Sequence, residues 1–314
     1  MKIKTANHIF FSFINARPVL KGYLFAFIST LGMSNVYVFS KAALQEVHLI
    51  QFGFYWFGFA MLWSLSYLIY SGKIRTAKNL NRKSIVLLVI IGLLEMSAAV
   101  TMFISISLIE NPAVVSFLAN LTPIFVTLFG IYFLKERFNL VEGLGIVLTI
   151  TGAILISYTG EQSLKDIFAE GTGWILISSF LLSVSIIIAK SRITRIDPSI
   201  LTINRIAYLF TFSSILMITE DYSLQIPGTA LFNIIIGSIM GPFITGLAQY
   251  TALKYIEASR TMIIQATRGL FVVVGAILYL GILPEEMQII GGIITIVGVI
   301  VIEMGKIRFR RKRI

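Results

Sequence analysis

Residues 84–134 read SIVLLVIIGLLEMSAAVTMFISISLIENPAVVSFLANLTPIFVTLFGIYFL, an apolar stretch whose charged residues are Glu95 and Glu110. A helix needs about 20 mostly apolar residues to cross the hydrocarbon core of a bilayer, so this stretch is too long for one crossing. The sequence Ile109-Glu110-Asn111-Pro112 divides it, and Pro112 suits the first turn of a new helix. We therefore predict two consecutive membrane-spanning helices here.

The whole chain has the same apolar character. Of its 314 residues, 57% are hydrophobic and 13% are charged, and the mean hydropathy is +0.88, which lies outside the range of soluble globular domains. The chain has no cysteine, and its two histidines are His8 and His48. This composition argues against disulfide frameworks, metal sites and hydrolase triads, and we expect no metal and no cofactor.

Apolar runs bounded by charges or turn residues predict an all-α polytopic membrane protein with ten transmembrane helices. The predicted spans are 21–43, 49–71, 84–107, 111–134, 140–158, 172–191, 198–219, 229–252, 258–281 and 287–304.

The basic residues predict the orientation of these helices. Lys and Arg cluster in the N-terminal tail, in the even-numbered loops and in the C-terminal tail, whereas the odd-numbered loops hold acidic residues. By the positive-inside rule both termini should be cytoplasmic, in a bacterial-type cytoplasmic membrane. An odd number of crossings would put the basic C-terminal tail on the acidic side, so the charges support ten. Topology thus explains the net charge of +11, and we expect no nucleic-acid partner.

The chain also contains an internal repeat. Glu110-Asn111-Pro112 opens the fourth span and Glu257-Ala258-Ser259 opens the ninth, an offset of 147 residues (257 − 110). Because each half has five crossings, the second copy is inverted relative to the first, and such halves suit alternating access around a central site. Chance similarity between apolar sequences is the alternative. Further matches join Gly145, Thr149 and Gly152 to Gly291, Thr295 and Gly298, Lys41 to Lys190, and Ser34 to Ser183.

The repeat predicts the organisation of the chain. We expect a cytoplasmic tail over 1–20, a first five-helix repeat over 21–158, an extracytoplasmic linker over 159–170, a second repeat over 171–304 and a basic cytoplasmic tail over 305–314.

The two halves together resemble the EamA-type transporters of the drug/metabolite transporter superfamily, over about 21–158 and 171–304. The resemblance implies a fold of two inverted five-helix repeats that moves small metabolites, often by export. Its residues are Gly32-Met33-Ser34-Asn35 leading to Lys41, Pro123 followed by Leu134-Lys135-Glu136-Arg137, the series Gly143, Gly145 and Gly152, and Asn204-Arg205.

The chain departs from the family pattern at three places. Trp56 stands where the first repeat more often carries an arginine, and Gly269 replaces the expected proline of the repeat. Leu280-Gly281-Ile282 lacks the acidic residue of the usual Leu-Gly-Glu turn. These departures weaken analogies to particular members of the family more than they weaken the predicted fold.

Two charged side chains are predicted near the middle of the bilayer, Glu95 in the third span and Arg268 in the ninth. A charge at this depth costs roughly 2.5–3.5 kcal/mol on insertion scales, so it needs a partner, water or a function. In one interpretation Arg268 binds a substrate carboxylate, and Glu95 binds an amino group or carries a coupling proton. In the other the two residues form a structural ion pair.

Other polar and aromatic residues are further candidates for the substrate pathway. Arg205 lies nearer the end of its span, where an arginine is also able to anchor the helix by reaching the headgroups. The amides in the spans could bond a solute or a neighbouring helix. The pathway candidates are thus Glu95, Arg268, Arg205, Asn35, Tyr37, Trp56, Asn120, Gln249 and Gln265, and the hinge candidates are Pro123, Pro242 and Gly269.

A secondary transporter of small metabolites fits these features best. We expect an exporter of amino acids or related amphipathic solutes, embedded in lipid as a monomer or homodimer and driven by a proton, by another ion or by the substrate's own gradient. Hydrophobic drugs, nucleotide-like compounds and polyamines are other possible substrates. A membrane-embedded enzyme would show clustered His, Asp or Glu at one interface, and a channel would not require two inverted halves.

Overall fold

The computed structural model describes residues 18–73, 80–108, 115, 119, 121–157, 171–272, 274 and 286–311. The regular secondary structure of these residues is helical and forms ten segments. They are α1 (Pro18–Leu44), α2 (Leu49–Tyr70), α3 (Arg82–Leu108), α4 (Leu121–Leu134), α5 (Leu140–Ser157), α6 (Thr172–Arg192), α7 (Pro198–Thr219), α8 (Gly228–Tyr255), α9 (Ala258–Ala266) and α10 (Glu286–Arg311).

The predicted all-α membrane fold is confirmed. Six helices, α1, α2, α3, α6, α7 and α8, are long and apolar enough to cross a bilayer by length and composition, and three further apolar segments are shorter. Large apolar side chains such as Leu62, Ile69 and Ile293 are exposed on the outside. Hydroxyl side chains such as Ser29 and Thr149 are buried between helices, as expected where lipid covers the surface.

The observed helices differ from the predicted spans in three places. Helix α8 contains a π-helical turn over Ile239–Thr245, which includes Pro242. Helix α9 ends at Ala266, and after a turn at Thr267 the chain is helical again over 268–272. Helix α10 continues to Arg311, into the predicted C-terminal tail. The predicted linker 159–170 and most of the predicted N-terminal tail lie outside the described residues.

Helices α5 and α10 make the most extensive helix contact among the described residues. Gly152 and Gly298, which the internal repeat relates to each other, allow this close approach. A Cβ atom added to Gly298 would lie 2.5 Å from the backbone nitrogen of Thr149. One added to Gly152 would likewise lie 2.5 Å from the backbone nitrogen of Thr295. With no side chain between them, the two backbones touch, and the last helix of each predicted repeat is bound to the other.

The first helix of each half packs chiefly against the opposite half. Helix α1 lies against α8 and α9, whereas α6 lies against α3 and α4. Two groups result, α1/α8/α9 and α6/α3/α4, which meet where α4 packs on α9. Elsewhere they face each other across a cleft, because α1 touches α3 sparsely and α6 touches α8 sparsely.

Carboxylates bind the start of α9, which leads to Arg268, and the start of α7, which carries Arg205. Glu136, after α4, accepts hydrogen bonds from the backbone nitrogens of Ala258 (2.9 Å) and Ser259 (3.2 Å) at the start of α9. A carboxylate is stabilising at a helix N-terminus, where backbone donors are unpaired. Glu136 thereby fixes the beginning of the helix that leads to Arg268.

Asp197 holds the start of α7, the helix of Arg205. Its carboxylate accepts from the backbone nitrogen of Ser199 at 2.9 Å and pairs with Lys73 at 3.1 Å. Partial burial acts to raise the pKa of Asp197, but the hydrogen bonds from Ser199 and the charge of Lys73 outweigh it, so the pKa lies below its ordinary value. The contact joins the α2–α3 connection to the α6–α7 connection.

The α5–α10 contact yields a stability prediction. The methyl group of Gly298→Ala would press on the backbone of Thr149, and overpacking of this kind costs about 1–3 kcal/mol. We expect this variant to melt at a lower temperature than the parent in detergent. Gly143→Ala is the matched control, because a Cβ atom there meets no atom within 4 Å. Equal melting temperatures for the two variants would contradict the close packing.

Candidate functional site

A cavity lies in the cleft between the two helix groups. It is lined by residues of α1, α2, α3, α6, α7, α8 and the segment from α9 to residue 268. Its water-accessible volume is about 50 Å³, and because one water needs roughly 10–15 Å³ by this measure, it has room for a few waters. A metabolite would therefore require the surrounding helices to move apart.

One wall of the cavity is aromatic. Trp56 and Phe57 of α2 and Phe103 of α3 line it, and Phe52 stacks behind them with its ring centroid 4.7 Å from that of Trp56. Glycine makes room for the indole, since a Cβ atom on Gly237 would lie 2.2 Å from the Trp56 ring. The predicted candidate Trp56 is thus a buried cavity residue, 1% exposed.

The other wall is polar and charged. Arg205, Gln249, Gln265 and Arg268 all line it, as does Pro242. The Gln265 amide donates to the Ser29 hydroxyl at 2.6 Å and to the Gln249 carbonyl oxygen at 3.4 Å. These amides therefore bond neighbouring helices and also face the cavity, so both of their predicted uses are compatible with their position.

Glu95 lies at the centre of a buried hydrogen-bond network. One carboxylate oxygen accepts from the Ser185 hydroxyl of α6 at 3.0 Å and from the Tyr250 hydroxyl of α8 at 2.5 Å. The other is 3.8 Å from Nε of Arg205 on α7. Side chains from three other helices thus converge on a carboxylate that is 1% exposed, which compensates for its removal from water.

Glu95 has Arg205 as its ion-pair partner, a residue that neither interpretation of Glu95 and Arg268 considered. The Arg268 guanidinium lies 5.9 Å from the centre of the Tyr37 ring, a cation–π distance. It is 3% exposed and faces the cavity. Among the described residues, the guanidiniums of Arg205 and Arg268 therefore both face the cavity.

Of the remaining predicted residues, Tyr37, Asn35, Pro123 and Gly269 are described by the structure and lie outside the cavity lining. Tyr37 is behind Arg268, and the side-chain nitrogen of Asn35 donates to the backbone oxygen of Leu31 in its own helix at 2.8 Å. Pro123 is buried in α4. Gly269 lies two residues after the turn at Thr267. Asn120 falls outside the described residues.

Sequence reasoning missed the hydroxyl partners of Glu95. Ser185 and Tyr250 lie in apolar spans, and their chemical type is the sole signal that could have indicated a role. The repeat offers a second signal for cavity residues in general. Trp56 and Arg205 are separated by 149 positions (205 − 56), and both line the cavity.

The Glu95 network yields a prediction for a double-mutant cycle. Glu95→Gln leaves Arg205 buried without its counter-charge, and breaking one side of a buried pair costs roughly 3–5 kcal/mol. We expect the double variant Glu95→Gln, Arg205→Gln to lose less stability than the sum of the single variants when unfolding is measured in mixed micelles. Strictly additive losses would show that the two charges do not interact. Glu286→Gln, at an exposed position, serves as the control and should be neutral.

Comparisons with known proteins agree with this architecture. The chain is 27% identical over 159 residues to an uncharacterized transporter of Archaeoglobus fulgidus, covering 49% of this chain and 54% of that protein. It is 21% identical over 233 residues to an uncharacterized transporter of Synechocystis, covering 71% of this chain and 66% of that protein. The chain thus spans about half to two thirds of the length of these relatives.

A solved structure titled "Crystal structure of protein" superimposes with a TM-score of 0.75 at 15% identity, covering 90% of this chain and 97% of that chain, and shows a common fold. The model of the EamA-like transporter family matches twice, over residues 20–158 and 170–304. The family and the names of the relatives indicate a transporter rather than an enzyme. With nearly its whole length matched, the chain belongs to the EamA-like transporter family.

Proposed function

We propose that the protein is a secondary transporter that exports small amphipathic metabolites carrying a carboxylate, amino acids first among them, by alternating access to the central cavity. The observation that carries the proposal is the buried guanidinium of Arg268, which lines the cavity together with that of Arg205. Membership of a transporter family supports the general activity, and the members that the sequence resembles often export their substrates.

The two walls of the cavity suit the two ends of such a solute. The guanidinium of Arg268 presents donors in a planar fork that matches a carboxylate. Gln249 and Gln265 add amide groups to the cavity lining, while Trp56, Phe57 and Phe103 offer apolar surface. A side chain of the solute would lie against the aromatic wall with its carboxylate on Arg268.

Glu95 is the candidate for ion coupling. As a carboxylate it holds Arg205 and accepts the two hydroxyls described above. If Glu95 took up a proton, Arg205 would lose its counter-charge and add a second cationic group to the cavity. The protonation of Glu95 and the affinity for an anionic group would then be linked.

A channel is the alternative class that this geometry has to be tested against. The small volume of the cavity favours a solute that is enclosed during transport rather than an open pore. Counterflow, in which unlabelled solute inside vesicles drives uptake of labelled solute, separates a carrier from a channel.

A proteoliposome screen tests the substrate proposal. Labelled amino acids, other carboxylates, polyamines and lipophilic cations would be compared in counterflow, with and without a proton gradient. We expect carboxylate-bearing solutes to be transported. Arg268→Gln should lower that transport at least tenfold, because it removes the cation that binds the carboxylate.

The matched control is Arg192→Gln, at the exposed end of α6, which should transport normally. Arg268→Lys keeps the charge without the planar fork and should fall between the parent and Arg268→Gln. Transport confined to solutes without a carboxylate, or unchanged in Arg268→Gln, would contradict the proposal.

A further inference from the structure

Two lysines make equivalent contacts at opposite ends of the molecule. Lys41, in the last turn of α1, donates from Nζ to the backbone oxygen of Ile106 near the end of α3 at 3.3 Å. Lys190, in the last turn of α6, donates to the backbone oxygens of Leu253 and Ile256 at the end of α8, both at 2.6 Å.

The repeat relates these contacts to each other. The two lysines are 149 positions apart (190 − 41), the offset that also joins Trp56 to Arg205. Ile106 and Leu253 are 147 positions apart (253 − 106), the offset found in the sequence between the starts of the fourth and ninth spans. In each half of the chain, therefore, a lysine ammonium contacts the backbone oxygen at an equivalent position of the third helix.

Both contacts cross the cleft between the helix groups. Lys41 extends from the α1/α8/α9 group to α3, and Lys190 extends from the α6/α3/α4 group to α8. These are the two helix pairs that otherwise touch sparsely, α1 with α3 and α6 with α8. Each lysine thus joins the two groups where side-chain packing between them is thin.

The cavity lies between the two contacts. On α1, Met33 lines the cavity and Lys41 lies eight positions further along the helix. On α6, Leu182 lines the cavity and Lys190 again lies eight positions further. Residues eight positions apart share a helix face. Each lysine therefore lies on the cavity-facing side of its helix, beyond the cavity, and the two lysines lie towards opposite ends of the bundle.

We propose that Lys41 and Lys190 are a pair of gate latches, each closing one route out of the cavity and each released in its turn during the transport cycle. The inference rests on the proposed function, because a gate requires a cavity that exchanges solute with both sides. In this structure both lysine contacts are formed at the same time.

The chemistry of the contacts suits reversible closure. The ammonium is held by main-chain oxygens at helix C-termini, which carry partial negative charge. A lysine ammonium is also strongly hydrated. Water that enters the cleft therefore replaces the lost hydrogen bonds when the helices separate, and the latch opens without leaving a bare charge in lipid.

A second observation, at the interface beside Lys41, supports the entry of water there in another state of the transport cycle. The side-chain oxygens of Tyr37, Ser40 and Ser105 are among the buried polar atoms of the described residues that have no hydrogen-bond partner. Water would satisfy such hydroxyls, whereas permanent closure leaves them unpaired. Their repeat counterparts at the Lys190 end are apolar: Ile186, Ala189 and Ala252.

Single cysteines test the latches, because the natural chain contains no cysteine. Ser105→Cys reports on the Lys41 end and Ala252→Cys, its counterpart 147 positions later (252 − 105), on the Lys190 end. Both positions are 0% exposed. The labelling rate by a charged methanethiosulfonate reagent would be measured on purified protein in detergent, where both ends meet the reagent.

We expect a crossed pattern. Lys41→Met, which removes the donor at similar size, should raise the labelling rate of Ser105→Cys at least tenfold and leave Ala252→Cys unchanged. Lys190→Met should do the reverse. Unchanged rates, or a rise at both cysteines with either substitution, would overturn the proposal. The assay uses no substrate, so a failed transport screen with an intact crossed pattern would reject the proposed substrate and not the latches.

Folding is monitored by gel filtration and melting temperature. If Lys41→Met or Lys190→Met does not fold, Lys41→Gln or Lys190→Gln, which retains a neutral donor, takes its place and should give an intermediate rate. If neither the Met variant nor the Gln variant of one of these lysines folds, the proposal is also contradicted. A contact that opens in every transport cycle is not required for the fold.

Discussion

Burial of charge in an apolar helix bundle is the constraint on which the rest of this structure depends. A carboxylate at mid-membrane depth costs roughly 2.5–3.5 kcal/mol on insertion scales unless other groups compensate. Glu95 on α3 is compensated by Ser185, Arg205 and Tyr250, which come from α6, α7 and α8. Those helices must converge around one point, and the cavity lies beside it, because Arg205 contacts the carboxylate and lines the cavity.

The inverted repeat explains how so few polar groups produce a central site. Equivalent positions of the two halves meet at the same cavity, as Trp56 and Arg205 do. Divergence between the copies then gives the cavity its chemistry, since one member of that pair is aromatic and the other is cationic. The glycine contact between α5 and α10 holds the halves together away from the cavity. The sequences of the helices that line the cleft can therefore diverge between the two copies.

Much of the fold could be predicted from the sequence because lipid imposes a length on every span. The predicted start of α7 at residue 198 agrees with the structure, where Asp197 caps the helix before Pro198. The partner of Glu95 could not be predicted in the same way. Successive residues of a helix point about 100° apart, so the choice between Arg205 and Arg268 depends on the rotation of each helix, which apolar runs do not specify. The π-helical turn around Pro242 likewise depends on local packing, as does the hydrogen bond from the Asn35 side chain to the backbone of its own helix.

The central claim is that the cavity opens alternately to the two sides of the membrane. Ser178 lines it from α6, and the chain has no natural cysteine, so Ser178→Cys can be labelled with an impermeant thiol reagent in right-side-out and inside-out vesicles. Ser191→Cys, at the exposed end of α6, is the one-sided control. The account predicts labelling of Ser178→Cys from both sides, slowed by a transported substrate. Labelling from one side alone, with Ser191→Cys behaving as expected, would contradict it.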